Sequence, residues 1–157
     1  MAVIYVNIGS NLGDRKALIE HALTHIGKNF GYYCTSEFVE SDPWGFDSTN
    51  RFVNIGVAFL SDLHPEKILD ILQYIEKEIS TKSHRDSAGN YSDREIDIDI
   101  MAIDEQTYSS ARLTVPHKHL LERDFFLKPL YELAPDWRHP ALKESPDTQT
   151  YFQKFVN

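Results

Sequence analysis

The sequence predicts an α+β fold built on an antiparallel sheet, and two observations support this class. Some apolar runs are rich in Val, Ile, Tyr and Phe, as strands are, and two other segments repeat apolar residues every three or four positions, as amphipathic helices do. Along the chain the order is strand, helix, strand, strand, helix, strand. That order is typical of the ferredoxin-like βαββαβ arrangement, in which both helices cover one face of the sheet. We expect the other face to be open for a functional site.

The first three elements follow from apolar runs separated by turn residues. Residues 3–8 form a mostly apolar strand, and the glycine-containing segment 9–13 predicts a turn after it. Asp14 is suited to cap the helix that follows, in which the apolar residues at three-four spacing are Leu18, Ile19, Ala22, Leu23 and Ile26. Two glycines, at 27 and 31, mark its end, and residues 32–39 predict the second strand.

A third strand, a second helix and a fourth strand complete the predicted core. Residues 52–60 predict a strand after the polar loop 41–51. Asp62 and Pro65 suit the start of the second helix, whose apolar stripe consists of Ile68, Leu69, Leu72, Ile75 and Ile79. A long loop precedes the fourth strand, at 94–103. The last third predicts an added layer with C-terminal helices, one of them near 124–134.

Length and charge limit the classes of function. A chain of 157 residues has the size of one domain, predicted to span 1–157, and buries roughly 68–70% of its unfolded surface. The net charge is −8, from 24 acidic and 16 basic residues, which argues against general nucleic-acid binding because such binding uses a basic face. An anionic small-molecule substrate would require metal ions and a local concentration of Arg and Lys.

We expect a cytoplasmic monomer with no membrane partner. Its N-terminal apolar run is shorter than the ~20 residues that a membrane helix needs. The single cysteine, Cys34, excludes an internal disulfide and fits a reducing compartment. We expect Cys34 to be a small buried apolar side chain.

Asp97 and Asp99, in the fourth strand, are the first candidates for chemistry. Side chains alternate along a strand, so both carboxylates point to one face and the intervening isoleucines to the other. Two neighbouring carboxylates repel each other, and a hard cation such as Mg²⁺ would remove that repulsion. The alternative is a solvated edge strand, which Asp93 and Glu95 support by continuing the same acidic face. These residues alone leave both interpretations open.

Basic residues near this strand could grip phosphate groups. They are Arg94, Arg112, His117, Lys118 and Arg123. Arg offers a fixed fork of donors to phosphate oxygens, although each of these residues taken singly is more often a surface group paired with an acid. The glycine-containing segment 9–15 lacks the Gly-Lys-Ser/Thr ending of a P-loop, and no Gly-x-Ser-x-Gly motif is present. Covalent catalysis therefore has no visible candidate.

Four separated motifs together resemble a known family. They are Gly9-Ser10-Asn11-Leu12-Gly13-Asp14; Ser41-Asp42-Pro43-Trp44-Gly45 followed by Phe52-Val53-Asn54; Arg94-Glu95-Ile96-Asp97-Ile98-Asp99-Ile100; and Leu113-Thr114-Val115-Pro116-His117 leading to Arg123-Asp124-Phe125. In this order and spacing they resemble the 6-hydroxymethyl-7,8-dihydropterin pyrophosphokinases over nearly the whole chain. The resemblance implies transfer of pyrophosphate from ATP to the pterin hydroxymethyl group in folate biosynthesis, with release of AMP and with two Mg²⁺ ions.

The resemblance also implies roles for individual residues. Asp97 and Asp99 would hold the metal ions, and Arg94 and Arg85 would join them in catalysis. The implied ATP-binding residues are Gln73, Glu76, Arg94, Ile100, Arg112, Thr114, His117, Lys118 and Arg123. Gln73 and Glu76 would lie near the ribose or base. The implied pterin-binding residues are Ser41, Asp42, Trp44, Phe52, Asn54, Tyr91 and Phe125, with the two phenylalanines stacking on the ring and Asn54 reading its polar edge.

The catalytic loop departs from the family pattern. Many relatives carry two arginines and a tryptophan there, where this chain has Lys82, His84, Arg85 and Tyr91. Ser41 replaces a threonine and keeps the hydroxyl. Two other functions remain open at this point: a non-catalytic ferredoxin-like module that binds a metabolite or metal and acts as a regulator, and a different metal-dependent nucleotidyl or phosphoryl transferase on the same fold.

Overall fold

The computed structural model describes residues 1–42, 51–80 and 95–141. Its strands are β1 (Ala2–Ser10), β2 (Tyr33–Thr35), β3 (Val39–Ser41), β4 (Phe52–Ser61), β5 (Asp97–Ile103), β6 (Tyr108–Ser109) and β7 (Thr114–Val115). Its α-helices are α1 (Arg15–Phe30), α2 (Pro65–Ile79) and α3 (Asp124–Leu133), and a 3₁₀ turn, Leu120–Glu122, precedes α3. The elements that carry the predicted core therefore occur in the predicted order.

The described strands form one antiparallel sheet and a small hairpin. The sheet has the order β2-β4-β1-β5, with β3 also paired to β4, and β6 pairs with β7. The two central strands pair over their whole length, from Ala2 opposite Ser61 to Ser10 opposite Val53. The prediction of an α+β fold with an antiparallel sheet is confirmed.

The single strand predicted at 32–39 is wrong in one respect, because a bulge divides it into β2 and β3. Thr35 lies opposite Val57 and Val39 lies opposite Asn54, so four steps along one strand match three along the other. The extra residue lies between Ser36 and Val39, because the Ser36 amide still donates to the Gly56 carbonyl at 2.9 Å. The Ser36 hydroxyl also accepts a hydrogen bond from the Gly56 amide at 2.8 Å. A one-residue shift moves every later side chain to the other face. The bulge therefore puts the Ser41 side chain on the same face as Asn54.

The helices α1 and α2 cover one face of the sheet and form the main core with it. The Asp14 carboxylate accepts from the Ala17 amide at 3.2 Å and caps α1 as predicted. The imidazole of His64, and not Asp62, caps α2 by accepting from the Glu66 amide. The helix residues that are buried in this core are Ile19, Ala22, Leu23, Ile26, Ile68, Leu72, Ile75 and Ile79.

The third helix, α3, covers part of the face that we expected to be open. Its buried residues join the end of β5 in a second cluster, formed by Met101, Ala102, Leu120, Phe126, Leu127, Leu130 and Trp137. Gly56 makes this close approach possible, since a Cβ there would lie 2.5 Å from the Cβ of Pro129. The remainder of the face, beyond the first turn of α3, is left for a cavity.

The structure bears on the predicted burial of Cys34 and on the prediction that the protein has no membrane partner. Cys34 is exposed, so the prediction that it is buried is wrong. It lies on β2, a three-residue strand at the edge of the sheet, which among the described strands pairs with β4 alone. Among the described helices, none is both long and apolar enough to cross a membrane.

Candidate active site

A cavity of about 480 Å³ lies where β1, β4 and β5 meet α2, the β6–β7 loop and the start of α3. The predicted site residues that line it are Phe52, Asn54, Gln73, Glu76, Asp97, Asp99, Ile100, Arg112, Thr114, His117, Lys118, Arg123 and Phe125. Lining residues that were not predicted as site residues are Asn7, Gly9, Leu69, Ile98, Ser110, Ala111, Leu113 and Phe126. The fold thus brings most of the predicted residues into one space.

The floor of the cavity consists of two rows of residues that cross the sheet. Asp97 lies opposite Gly9, which in turn lies opposite Asn54. Opposed residues of an antiparallel sheet share a face, so Asn54 and Asp97 point the same way. A Cβ on residue 9 would lie 2.5 Å from the Asn54 side-chain oxygen. Gly9 therefore gives the Asn54 amide room to lie across β1.

The second row contains the other aspartate. Asp99 lies opposite Asn7, and Asn7 lies opposite Gly56. Asn7 is 2% exposed and was not predicted as a site residue. The available signal was its position in the apolar run of β1, but only the register of β1 against β5 shows that it borders the aspartate.

Three acidic side chains meet at the start of β5. Asp97 and Asp99 are partly buried, and Glu76 reaches them from α2, where its carboxylate accepts a hydrogen bond from the Ile98 amide at 2.7 Å. Burial, together with the nearby Asp97 carboxylate, raises the pKa of Glu76 well above its ordinary value. The resemblance implied a place near the ribose or base for Glu76, whereas the structure puts its carboxylate beside the aspartates.

These carboxylates fit a cation that a substrate helps to bind. In the described ranges, no group of three or more His, Cys, Asp or Glu side chains could hold a metal ion alone. Mg²⁺ is commonly bound through one or two carboxylates, with substrate phosphates and water completing its octahedron. Two adjacent carboxylates on a cavity wall meet that requirement, and a cation there would offset their repulsion.

Arg112, Lys118 and Arg123 also line the cavity and form its basic wall. Arg112 is the residue of this wall whose side chain is 46% exposed. The Arg112 guanidinium lies 2.6 Å from the Asp70 carboxylate and 3.4 Å from that of Glu66. Glu66 also accepts a hydrogen bond of 2.6 Å from the Tyr108 hydroxyl. Acidic groups of α2 thus hold the Arg112 side chain, a contact that the sequence did not predict.

His117 is oriented as a neutral hydrogen-bond donor. Burial lowers its pKa, and the charge of Arg123 adds to the effect, so that the pKa falls to about 4. Its Nδ1 accepts from the His119 amide at 3.1 Å, so the neutral ring carries its proton on Nε2. The His117 amide donates to the Met101 carbonyl at 2.9 Å, which attaches this segment to β5.

Aromatic side chains and Asn54 form the remaining part of the cavity. Phe52 comes from the start of β4 and Phe125 from the first turn of α3. The Arg123 guanidinium lies 5.6 Å from the centre of the Phe125 ring, within cation–π range. The Asn54 amide nitrogen donates to the Ser41 hydroxyl at 3.0 Å. The wall therefore offers flat apolar surface next to a side-chain amide in a defined orientation.

Some predicted residues lie elsewhere or outside the described part of the chain. Ser41 is buried behind Asn54, and Asp42 forms an ion pair of 3.4 Å with Arg51; within the described ranges, neither residue lines the cavity. The predicted residues outside the described ranges are Trp44, Lys82, His84, Arg85, Tyr91 and Arg94. Their roles stay predictions.

The sequence was compared with models of known families. The model described as 7,8-dihydro-6-hydroxymethylpterin-pyrophosphokinase matches residues 5–135. The chain belongs to this family. Membership confirms the resemblance that the four motifs indicated, and the match extends from β1 to the end of α3.

Relatives of this pyrophosphokinase family match most of the chain. The 2-amino-4-hydroxy-6-hydroxymethyldihydropteridine pyrophosphokinase of Porphyromonas gingivalis is 42% identical over 144 residues, which cover 89% of this chain and 95% of that protein. The enzyme of the same name from Aquifex aeolicus is 33% identical over 144 residues, covering 92% of this chain and 88% of that protein.

A solved structure shares the fold of this family member. The crystal structure of wild-type Plasmodium falciparum HPPK-DHPS superposes with a TM-score of 0.76 at 15% identity, and it covers 99% of this chain. The chain spans only 44% of that longer protein. At this level of identity the comparison shows the fold alone.

Proposed function

We propose that the cavity binds ATP and 6-hydroxymethyl-7,8-dihydropterin side by side and transfers pyrophosphate from the first to the second. As a member of the pyrophosphokinase family, the protein is an ATP-dependent diphosphotransferase of folate biosynthesis. One observation carries the assignment of the site: an acidic pair, a basic wall and two phenylalanines with an amide all line a single cavity. Each of these groups matches a different part of the two substrates.

The polyphosphate of ATP is assigned to the space between the aspartates and the basic wall. Asp97 and Asp99 would hold Mg²⁺, with two ions as the family resemblance implies, and the bound metal would neutralise charge on the phosphate oxygens. Arg112, Lys118 and Arg123 supply positive charge from the other side. His117 donates through Nε2–H and adds no charge, since it is neutral near pH 7.

The pterin is assigned to the space between Phe52 and Phe125. Stacking on a flat ring contributes roughly 0.5–1.5 kcal/mol beyond area burial, so polar contacts must set the orientation. The hydrogen bond to Ser41 uses the amide nitrogen of Asn54. As far as the described residues go, this leaves the Asn54 oxygen to accept a hydrogen bond from an N–H on the pterin edge.

The chemistry requires positioning and charge neutralisation. The pterin hydroxymethyl oxygen forms a bond to the β-phosphorus of ATP, while the bond from that phosphorus to the oxygen leading to the α-phosphate breaks. AMP leaves with that oxygen, and the hydroxyl proton is released to water. Phosphoryl-type transfer of this kind needs no protein nucleophile when the reacting groups are aligned and the phosphate charge is offset. The walls of the cavity are arranged for both tasks.

Product analysis tests this proposal. The protein is incubated with ATP, Mg²⁺ and the hydroxymethyl dihydropterin, and nucleotides and pterins are separated by chromatography. We expect AMP and pterin diphosphate in equal amounts. ADP as the product would refute pyrophosphoryl transfer, and binding of both ligands without turnover would favour the regulatory module.

The variant Asp97→Asn tests the role of the acidic pair. It keeps the size of the side chain and removes its charge, so turnover should fall at least 100-fold because the phosphate charge is no longer offset. The thermal unfolding curve should stay close to that of the wild type. An active Asp97→Asn variant would contradict the assigned site, and a variant that fails to fold would indicate a structural role for the aspartate.

Several features stay predictions of the sequence. They are the single-domain organisation over 1–157, the monomeric state, the cytoplasmic location, and the absence of nucleic-acid and membrane partners. The roles of Arg85, Arg94, Trp44 and Tyr91 also belong here. A structure with a non-hydrolysable ATP analogue, Mg²⁺ and pterin would test the residue roles directly.

A further inference from the structure

The helix α3 contains a proline that removes one of its own hydrogen-bond donors. Pro129 lies inside the helix, and the residue at this position would normally donate its N–H to the carbonyl of Phe125, four residues earlier. Proline has no N–H, so the helix cannot supply this donor. A buried carbonyl that loses its partner is destabilised, and another group has to take the place of the donor.

Asn7, in the central strand β1, supplies the missing donor. Its side-chain nitrogen donates to the Phe125 carbonyl at 2.9 Å, across 118 positions of the sequence. Asn7 is 2% exposed, so the donor of this hydrogen bond is shielded from water. The carboxamide of a strand residue therefore completes the first turn of the helix.

The same row of the sheet accommodates the proline itself. Gly56 lies opposite Asn7, and its missing Cβ gives Pro129 the space to lie against the sheet. This row of the sheet therefore serves Pro129 in two ways. Gly56 gives the proline ring space, and Asn7 donates to the Phe125 carbonyl, which Pro129 cannot do. The other neighbour of Asn7 is Asp99, which places this contact at the edge of the acidic pair.

We infer that Asn7 is a positioning residue for the pterin site, and that it acts by holding the Phe125 carbonyl and with it the aromatic wall. This inference rests on the proposed function, in which the Phe125 ring stacks on the pterin. Without Asn7, the first turn of α3 loses its attachment to β1 at the residue whose ring lines the cavity. Pterin binding should weaken more than ATP binding. Arg123 contacts the Phe125 ring, but Arg112 is held by the Asp70 carboxylate of α2 and the His117 backbone by β5.

Three variants test this inference: Asn7→Ala, Pro129→Ala and the double variant. Pro129→Ala keeps the Cβ that faces Gly56 and restores an N–H at position 129, so the helix can again satisfy the Phe125 carbonyl by itself. We expect Asn7→Ala to raise the KM for pterin about fivefold to tenfold and to change the KM for ATP less than twofold. Pro129→Ala alone should resemble the wild type, and the double variant should return to within about twofold of the wild-type KM for pterin.

The rescue distinguishes positioning from the other roles that Asn7 could have. Equal changes in the two KM values would indicate that Asn7 acts on the acidic pair, and they would overturn the inference. So would a double variant that is no better than Asn7→Ala. A wild-type protein that forms no AMP would refute the proposed function itself, whereas an active wild type without rescue would refute only the role of Asn7. Thermal unfolding of all four proteins checks that each one is folded.

Discussion

The protonation of His117 should make the folded protein acid-sensitive by a predictable amount. Its pKa is about 4 in the folded state, against an ordinary value of 6.5. Below pH 6.5 the unfolded chain binds a proton at this residue, and the folded protein does not until the pH approaches 4. Acidification therefore favours the unfolded state, and the contribution of His117 to stability is complete above pH 6.5 and is lost as the pH falls toward 4.

The magnitude follows from the two pKa values. One pKa unit corresponds to 1.36 kcal/mol, so the full difference is about 3 kcal/mol, as an upper value for a ring that is mostly buried. The free energy of unfolding is measured by urea denaturation at several pH values between 7 and 4, for the wild type and for His117→Asn. Asparagine retains an oxygen that can accept from the His119 amide and does not titrate in this range.

Comparison of the two proteins isolates this residue, because all other groups titrate in both. The wild type should lose up to about 3 kcal/mol more than His117→Asn between pH 6.5 and pH 4. Parallel curves for the two proteins would refute the reasoning that burial and the Arg123 charge keep the ring neutral. A direct measurement of the ring pKa by nuclear magnetic resonance would provide an independent check.

Two further predictions concern the two ends of the cavity. In Gly9→Ala, the added Cβ would lie 2.5 Å from the Asn54 oxygen, so the Asn54 amide must move away from Ser41. The KM for pterin should then rise about tenfold. An unchanged KM would show that Asn54 does not bind the pterin. In Asp70→Asn, Arg112 loses its 2.6 Å ion pair, so its guanidinium is freer to bind ATP. The KM for ATP should fall by up to about fivefold, with little change in kcat. A KM that stays constant or rises in steady-state kinetics at varied ATP would contradict this.

The long elements of the fold were predictable because their signals are local. Helix α1 has its apolar residues at the expected spacing and begins after Asp14, and helix α2 begins at Pro65 as predicted. The central strands β1 and β4 are mostly apolar runs. These features depend on neighbours within a few positions of the chain, where periodicity and capping act.

The bulge between Ser36 and Val39 and the covering of the second face by α3 were not predictable in the same way. A bulge depends on the register in which one strand pairs with another, and the residues of segment 32–39 do not indicate this register. The position of α3 depends on Gly56, which lies in a strand far from the helix in sequence. In the sequence, a strand glycine that allows a helix to pack closely cannot be distinguished from any other strand glycine.

The candidate site shows the same division. The four motifs indicated the family and most of the residues that line the cavity. Each motif is a short contiguous run, so its residue types and their spacing can be recognised without the structure. The sequence did not indicate that Glu76 lies against Asp97, that Asp70 holds Arg112, or that Asn7 bonds to Phe125. Each of these contacts joins two residues that are more than 20 positions apart in the sequence.

By itself, the sequence determined the class of fold, the family, and the pair of carboxylates on one strand face, because alternation and motif spacing are properties of a contiguous chain. Only the tertiary structure decided what surrounds that pair. The register of β1 against β5 places Asn7 beside Asp99, and the packing of α3 places the Phe125 carbonyl against Asn7. Burial then raises the pKa of Glu76 and lowers that of His117. Cross-strand neighbours depend on the register of the strands, and charge states depend on burial. Both depend on residues that are distant in the sequence, and only the folded chain brings these together.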